Sequence, residues 1–221
     1  VLDASECPPT FGVSPGRVQG VIAGGRRALV RSSEGREDDA AGGAAAIDQR
    51  RVTPRDTVVG IAACGMTPYV RGALRRARRI GAKTVFLTCS PEVKREVTAD
   101  VVICPVVGPE VVTGSTRMKA GTATKLVLNT LTTAAMIRTG KVYGNLMVDL
   151  SARSAKLRDR AERIIMMVTG VSRRRARTLL ERASGEARTA IVMHVRGVDC
   201  AGARKLLKEA DGFLRDVIDR E

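Results

Sequence analysis

The chain has 221 residues, 44% hydrophobic and 2% aromatic, and 38 Lys and Arg against 23 Asp and Glu give a net charge of +15. This length and apolar share suit one globular domain with a small appendage, and they exclude wholesale disorder. No apolar run approaches the roughly 18 residues of a membrane-spanning helix, so no membrane partner is expected.

Arg outnumbers Lys by 30 to 8. Residues 1–150 carry 21 basic and 13 acidic side chains, and residues 151–221 carry 17 and 10, so the second stretch is denser in positive charge. Such a balance fits a polyanion partner. Readers of single strands add aromatic platforms, however, and three Phe, two Tyr and no Trp supply few. Nucleic acid is therefore not expected as the main partner. The five cysteines are odd in number and include no CxxC pair, so neither a disulfide framework nor a zinc site of usual spacing is indicated. His194, the single histidine, lies in the apolar run TAIVMHVRG and reads as a packed or surface residue. A reducing, cytoplasmic compartment and no metal or cofactor are expected. The chain opens on Val1 rather than Met, and upstream sequence is expected.

In chain order, residues 2–12 are rich in turn formers. Ser14 and Pro15 open VQGVIAGGRRALV as an amphipathic helix. Residues 32–50 read as a charged loop and a weak helix. TVVGIAA (57–63), KTVFLTCS (83–90) and ADVVICPVV (99–107) are apolar runs of strand length. Between the first two, Thr67 and Pro68 start a helix over 68–82. A long helix spans about 118–139. Short helices follow at 154–168, 172–183, 186–195, 199–209 and 211–219, with GVS (170–172) as a stop and new cap. Strands without alternation imply a parallel sheet covered on both faces. The class is α/β, with a domain over 1–150 and a small helical appendage over 151–221.

Ligands of such sheets bind beyond the carboxyl ends of the strands. The richest segment there is GPEVVTGSTRMKAGTATK (108–125), with Ser115, Thr116, Arg117 and Lys119 at the start of the long helix. Amides and hydroxyls at a helix start hold anions. ACGMTPYV (63–70) offers Gly65 and Thr67 in the same way, and TCSPEVK (88–94) is weaker. Glu6 and Glu37 stand out among carboxylates, Glu37 beside Glu34, Asp38 and Asp39. Neighbouring carboxylates can raise one another's pKa and so serve acid–base chemistry, although a charge run is commonly a solvated loop.

These strings resemble the N-acetylmuramic acid 6-phosphate etherase and glucokinase regulatory protein family. The likeness runs through ASECPPTFG, VIAGG, EGRED, GMTPYV, the whole 108–125 segment, GKVYGNLMVDL and DGFLRDVI, and it favours the etherase branch. It implies a sugar isomerase (SIS) domain, a three-layer α/β/α sandwich with a parallel sheet. It also implies lyase cleavage of the D-lactyl ether of N-acetylmuramic acid 6-phosphate, without metal or organic cofactor, by elimination and then hydration. In this family pattern the Glu of SECPP, here Glu6, protonates the departing oxygen. The later Glu of EGxED, here Glu37, is the second acidic group. Gly65, Thr67, Ser115, Thr116, Arg117 and Lys119 then hold substrate. The family loop usually reads SGRTPYV, so Cys64 stands for a serine and Met66 for an arginine, and contacts there are altered. A preceding strand and Gly-Thr-Ser-Gly loop are absent, which implies an N-terminally incomplete domain. The apolar load of the long helix, with Leu126, Val127, Leu131 and Ile137, implies a homodimer. A sugar-phosphate sensor and a polyanion binder are the competing readings; the pair Glu6 and Glu37 argues against a mere sensor.

Overall fold

The computed structural model describes residues 1–31, 33–150, 152 and 154–219. These pack as two units, one of Val21–Asn129 with Val1 and one of Leu2–Gly20 with Thr130–Glu221. The N-terminal segment Leu2–Gly20 groups with Thr130–Glu221 and meets it at Thr132 and Asp149.

In the first unit a helix α2 (Ala40–Gln49) precedes strand β1 (Thr57–Ile61), helix α3 (Pro68–Ile80), strand β2 (Lys83–Leu87) and strand β3 (Val101–Ile103). The strands form a parallel sheet in the order β1-β2-β3, with Gly60 opposite Phe86 and Phe86 opposite Val102. The α/β class with a parallel sheet is as the sequence implies. Phe86 and Leu74 are buried to 1% exposure or less and form a small core with Ala62 and Val97. Val101, Val102 and Ile61 stay exposed on the outer strands, so these strands are not covered on both faces among the described residues.

α3 forms where expected, with Pro68 in its first turn and Gly81 closing it at φ 91°. It lies close on α2 through two glycines. A Cβ at Gly43 would sit 1.9 Å from the Tyr69 carbonyl oxygen, and one at Gly72 would sit 2.0 Å from that of Ala40.

Residues 2–12, rich in turn formers, hold helix α1 (Leu2–Phe11). The expected helix after Ser14 is absent. Ser14 caps only a turn, and a short 3-10 segment, Gly25–Leu29, follows. Gly24 and Gly25 take φ of 79° and 66°, values that a right-handed helix cannot continue through.

Helix α4 (Lys119–Arg138) contributes to both units. In the second unit, α5 (Ala155–Thr169), α6 (Arg173–Arg182), α7 (Ala187–Arg196), α8 (Cys200–Glu209) and α9 (Leu214–Ile218) follow the expected short-helix pattern. Ser154, Ser172 and Asp199 cap three of them with side-chain acceptors. Ile164, Ile165, Leu179, Leu180 and Ile191 repeat at helical spacing and fill one core. His194 is exposed.

Candidate active site

The loops at the carboxyl ends of the strands are tied by backbone bonds. Cys89 N–H donates to the Ala63 carbonyl at 2.9 Å and Thr88 N–H to that of Ile103 at 3.1 Å, which extends the sheet into the loops. Gly65 closes the turn after β1 at φ 80°, and a Cβ there would lie 2.5 Å from the Val93 side chain. The sharp turn and the close neighbour both require glycine. Arg71 reaches back from α3 to the Gly65 carbonyl at 3.2 Å and pairs with Glu96 at 2.9 Å.

Glu37 is brought to this loop. Tyr69 N–H at the start of α3 donates to the Glu37 carbonyl at 2.9 Å, and the Glu37 side chain is exposed. Asp39, two residues on, caps α2 through Gly42 N–H at 2.7 Å. The carboxylates that looked alike in sequence therefore differ: Asp39 is a structural cap and Glu37 faces water. Thr67 is the N-cap residue of α3, and its hydroxyl makes no cap hydrogen bond.

The 108–118 loop leads into α4. Ser115 is half-buried, and Thr116 and Arg117 are exposed. Cys89 Sγ lies 4.0 Å from the Ala120 carbonyl oxygen, so Cys89 touches both the Ala63 loop and the α4 start. Two amides that the sequence offered to a ligand are already taken. Glu110 accepts from Lys119 N–H and Ala120 N–H, each at 3.0 Å, and Lys119 Nζ donates to the Pro109 carbonyl at 2.8 Å. The amides of Ala120 and Lys119 hold the Glu110 carboxyl below the usual range. Sequence reasoning missed Glu110 because it caps from nine residues upstream, whereas capping signatures span three. Arg71 was missed because a mid-helix arginine reads as surface.

Glu110 staples the loop that carries Ser115, Thr116 and Arg117. Its folded pKa is lowered, so this contribution is complete above the ordinary glutamate value of about 4.3 and disappears as pH falls through the lowered one. Glu110→Gln should reduce amide-exchange protection at Lys119 and Ala120 by roughly five- to tenfold at neutral pH and remove its acid dependence. Unchanged protection in that variant would show that the staple is not what orders the loop.

Glu6 belongs to the other unit. It is exposed on α1, where Cys7 is the buried residue at 2% exposure. Thr132 donates to Asp3 at 3.4 Å at the start of α1, and Gly12 N–H donates to the Pro8 carbonyl at 3.0 Å at its end. No group of His, Cys, Asp and Glu among the described residues is arranged to hold a metal ion. No described helix is long and apolar enough to cross a membrane.

A parallel sheet with glycine- and hydroxyl-bearing loops at its carboxyl edge is the layout of a SIS domain, and residues 6–78 match the family model of the glucokinase regulatory protein N-terminal SIS domain. The chain is 57% identical over 192 residues to the N-acetylmuramic acid 6-phosphate etherase of Salinibacter ruber, covering 86% of this chain and 62% of that protein. It is 56% identical over 191 residues to the etherase of Rubrobacter xylanophilus, covering 86% and 64%. The etherase of a Synechococcus strain gives 55% over 191 residues, covering 86% and 60%. Over 86% of its length the chain is thus similar to proteins named N-acetylmuramic acid 6-phosphate etherase. It spans 60–64% of the length of these three curated relatives.

Proposed function

We propose that this chain acts as a carbon–oxygen lyase on N-acetylmuramic acid 6-phosphate, giving N-acetylglucosamine 6-phosphate and D-lactate in the recycling of cell-wall sugars. The observation that carries this reading is the 55–57% identity to proteins named for that etherase activity over 86% of the chain. Glu6 and Glu37 stand at the two acidic positions of the family pattern.

The chemistry uses two carboxylates sensibly. An alkyl ether resists direct hydrolysis. In the ring-opened sugar the aldehyde makes the C2 proton acidic. Its removal lets lactate leave from C3 with the ether oxygen, and water then adds to C3. Glu6 gives a proton to the departing oxygen and later takes one from the incoming water. Glu37 assists at C2 or in ring opening. Gly65 and Thr67 at the start of α3, and Ser115, Thr116, Arg117 and Lys119 ahead of and at the start of α4, hold the sugar phosphate. With Lys119 N–H engaged by Glu110, hydroxyls and the Arg117 guanidinium carry more of that task than the α4 amides. Every proposed catalytic and binding group lies in 1–150, and 151–221 is the helical appendage. No metal or organic cofactor takes part.

The protein works in the cytoplasm, where a phosphorylated sugar is retained. It works as a homodimer: α4 leaves Leu126 and Ile137 at 62% and 48% exposure with Ala134 beside them, an apolar face suited to a two-fold contact. Sedimentation as a fully active monomer at micromolar concentration would rule this out.

The match to a regulatory protein's SIS domain supports a second reading, a non-catalytic sugar-phosphate sensor. D-lactate release from N-acetylmuramic acid 6-phosphate decides between them; saturable binding without release selects the sensor. Ser115→Ala, Thr116→Ala and Arg117→Ala should each raise KM, by about tenfold for the arginine. Normal KM in all three would move the substrate site elsewhere.

A further inference from the structure

Helix α1 cannot hold Glu6 in place by itself. It has ten residues with Pro8 and Pro9 inside, and Cys7 is the side chain it buries. Short helices are marginal in water, and prolines remove their internal bonds. Its placement therefore depends on what its ends touch. The chain leaves α1 at Gly12, at φ 64°, and a Cβ there would lie 2.1 Å from the carbonyl oxygen of Asp149. The backbone of Asp149 is the seat of the helix end.

That seat is itself fastened by charge. Asp149 Oδ2 lies 2.5 Å from Lys141 Nζ, and Oδ1 lies 3.1 Å from the Arg188 guanidinium. Arg188 also donates to the Gly212 carbonyl at 2.8 Å, which ties the segment to the turn before α9. The three side chains are 18–22% exposed. Val148 and Leu150 on either side are buried at 0% and 2%. A carboxylate between two core residues, facing two cations, is not surface filler. Removing it leaves two largely buried cations without this acceptor, and the segment must shift to rehydrate them.

We infer that Asp149 is a positioning residue for the reaction: its ion-paired carboxylate fixes the turn that seats Gly12, and thereby the helix that presents Glu6. This rests on the reading of Glu6 as the proton donor. Glu6 lies six residues before Gly12, about 9 Å along the helix, so a small tilt at the seat displaces the carboxylate. Misplacement of a catalytic group by about 1 Å can cost about a hundredfold in rate.

Cys7, next to Glu6, provides a reporter that does not depend on turnover. Burial, and then the carboxylates of Asp3 and Glu6, push its thiol pKa up, so in the seated helix it should react slowly. The test compares wild-type protein, Asp149→Ala and the isosteric Asp149→Asn. Alkylation by iodoacetamide is followed cysteine by cysteine by mass spectrometry, alongside lactate release. Exposed Cys64 is the internal control. In folded variants Cys7 should label at least about tenfold faster, with Cys64 unchanged. The kcat should fall roughly ten- to a hundredfold while KM stays within about twofold. If Asp149→Ala does not fold, Asp149→Asn carries the comparison. Cys7 labelling at the wild-type rate in the folded variants overturns the inference, and so does a fall in kcat with Cys7 still protected. Absence of lactate release from the wild type would instead refute the proposed activity, and the labelling would still judge Asp149.

Discussion

Glu6→Gln is expected to abolish measurable lactate release while leaving the helical melting profile intact. The glutamine keeps the shape of the side chain but can neither give a proton to the ether oxygen nor take one from water. General acid–base help of this kind is typically worth about 10²–10⁴ in rate, and here one group serves both halves of the reaction. The side chain is exposed on α1, so its loss opens no cavity. Glu37→Gln should also cost activity, with a smaller loss fitting a supporting role. Mixing the two variants should recover activity beyond their sum if a homodimer draws the two carboxylates of one site from different chains. Recovery absent in a proven dimer would mean that each site takes both from one chain. Near-normal turnover in Glu6→Gln would remove Glu6 from the mechanism.

Gly72→Ala should destabilise the first unit by about 2–4 kcal/mol. In an ordinary helix interior the same change stabilises by up to about 1 kcal/mol, so the sign is the test. The reason is steric. The new Cβ would lie 2.0 Å from the Ala40 carbonyl oxygen and 2.8 Å from its carbon, both backbone atoms that cannot rotate away. α2 and α3 must separate, and Asp48 would lose its 2.7 Å ion pair with Arg76. Because Tyr69 N–H holds the Glu37 carbonyl, the separation should also loosen Glu37. Chemical denaturation resolves the shift, and an unchanged or raised midpoint would show that the two helices do not depend on this contact.

The parts of the fold legible in sequence were those specified by local chemistry. Thr67-Pro68 and Gly81 bracket α3, and Gly170 and Ser172 separate α5 from α6, because caps and breakers act within a few residues. The parallel sheet followed from uniformly apolar runs, although its outer strands leave Ile61, Val101 and Val102 exposed. What failed depended on partners distant in the chain. Residues 2–11 are helical despite two prolines, with ends that meet Thr132 and Asp149, which the string ASECPP cannot reveal. VQGVIAGG looked helical by period, yet its glycines adopt left-handed backbone. At the candidate site, Glu37, Gly65 and Thr67 were legible as motif residues and are drawn together at the start of α3. Glu110 and Asp149 were not, because each works on a group several residues away, through a bond that periodicity does not encode.

The central claim is elimination followed by hydration, and labelled water tests it most directly. Turnover of N-acetylmuramic acid 6-phosphate in oxygen-18 water should place the heavy oxygen on C3 of the released N-acetylglucosamine 6-phosphate, with the lactate hydroxyl unlabelled. In deuterated water the product should carry deuterium at C2. Heavy oxygen in the lactate hydroxyl, or a product with its original C2 proton fully retained, would contradict the account.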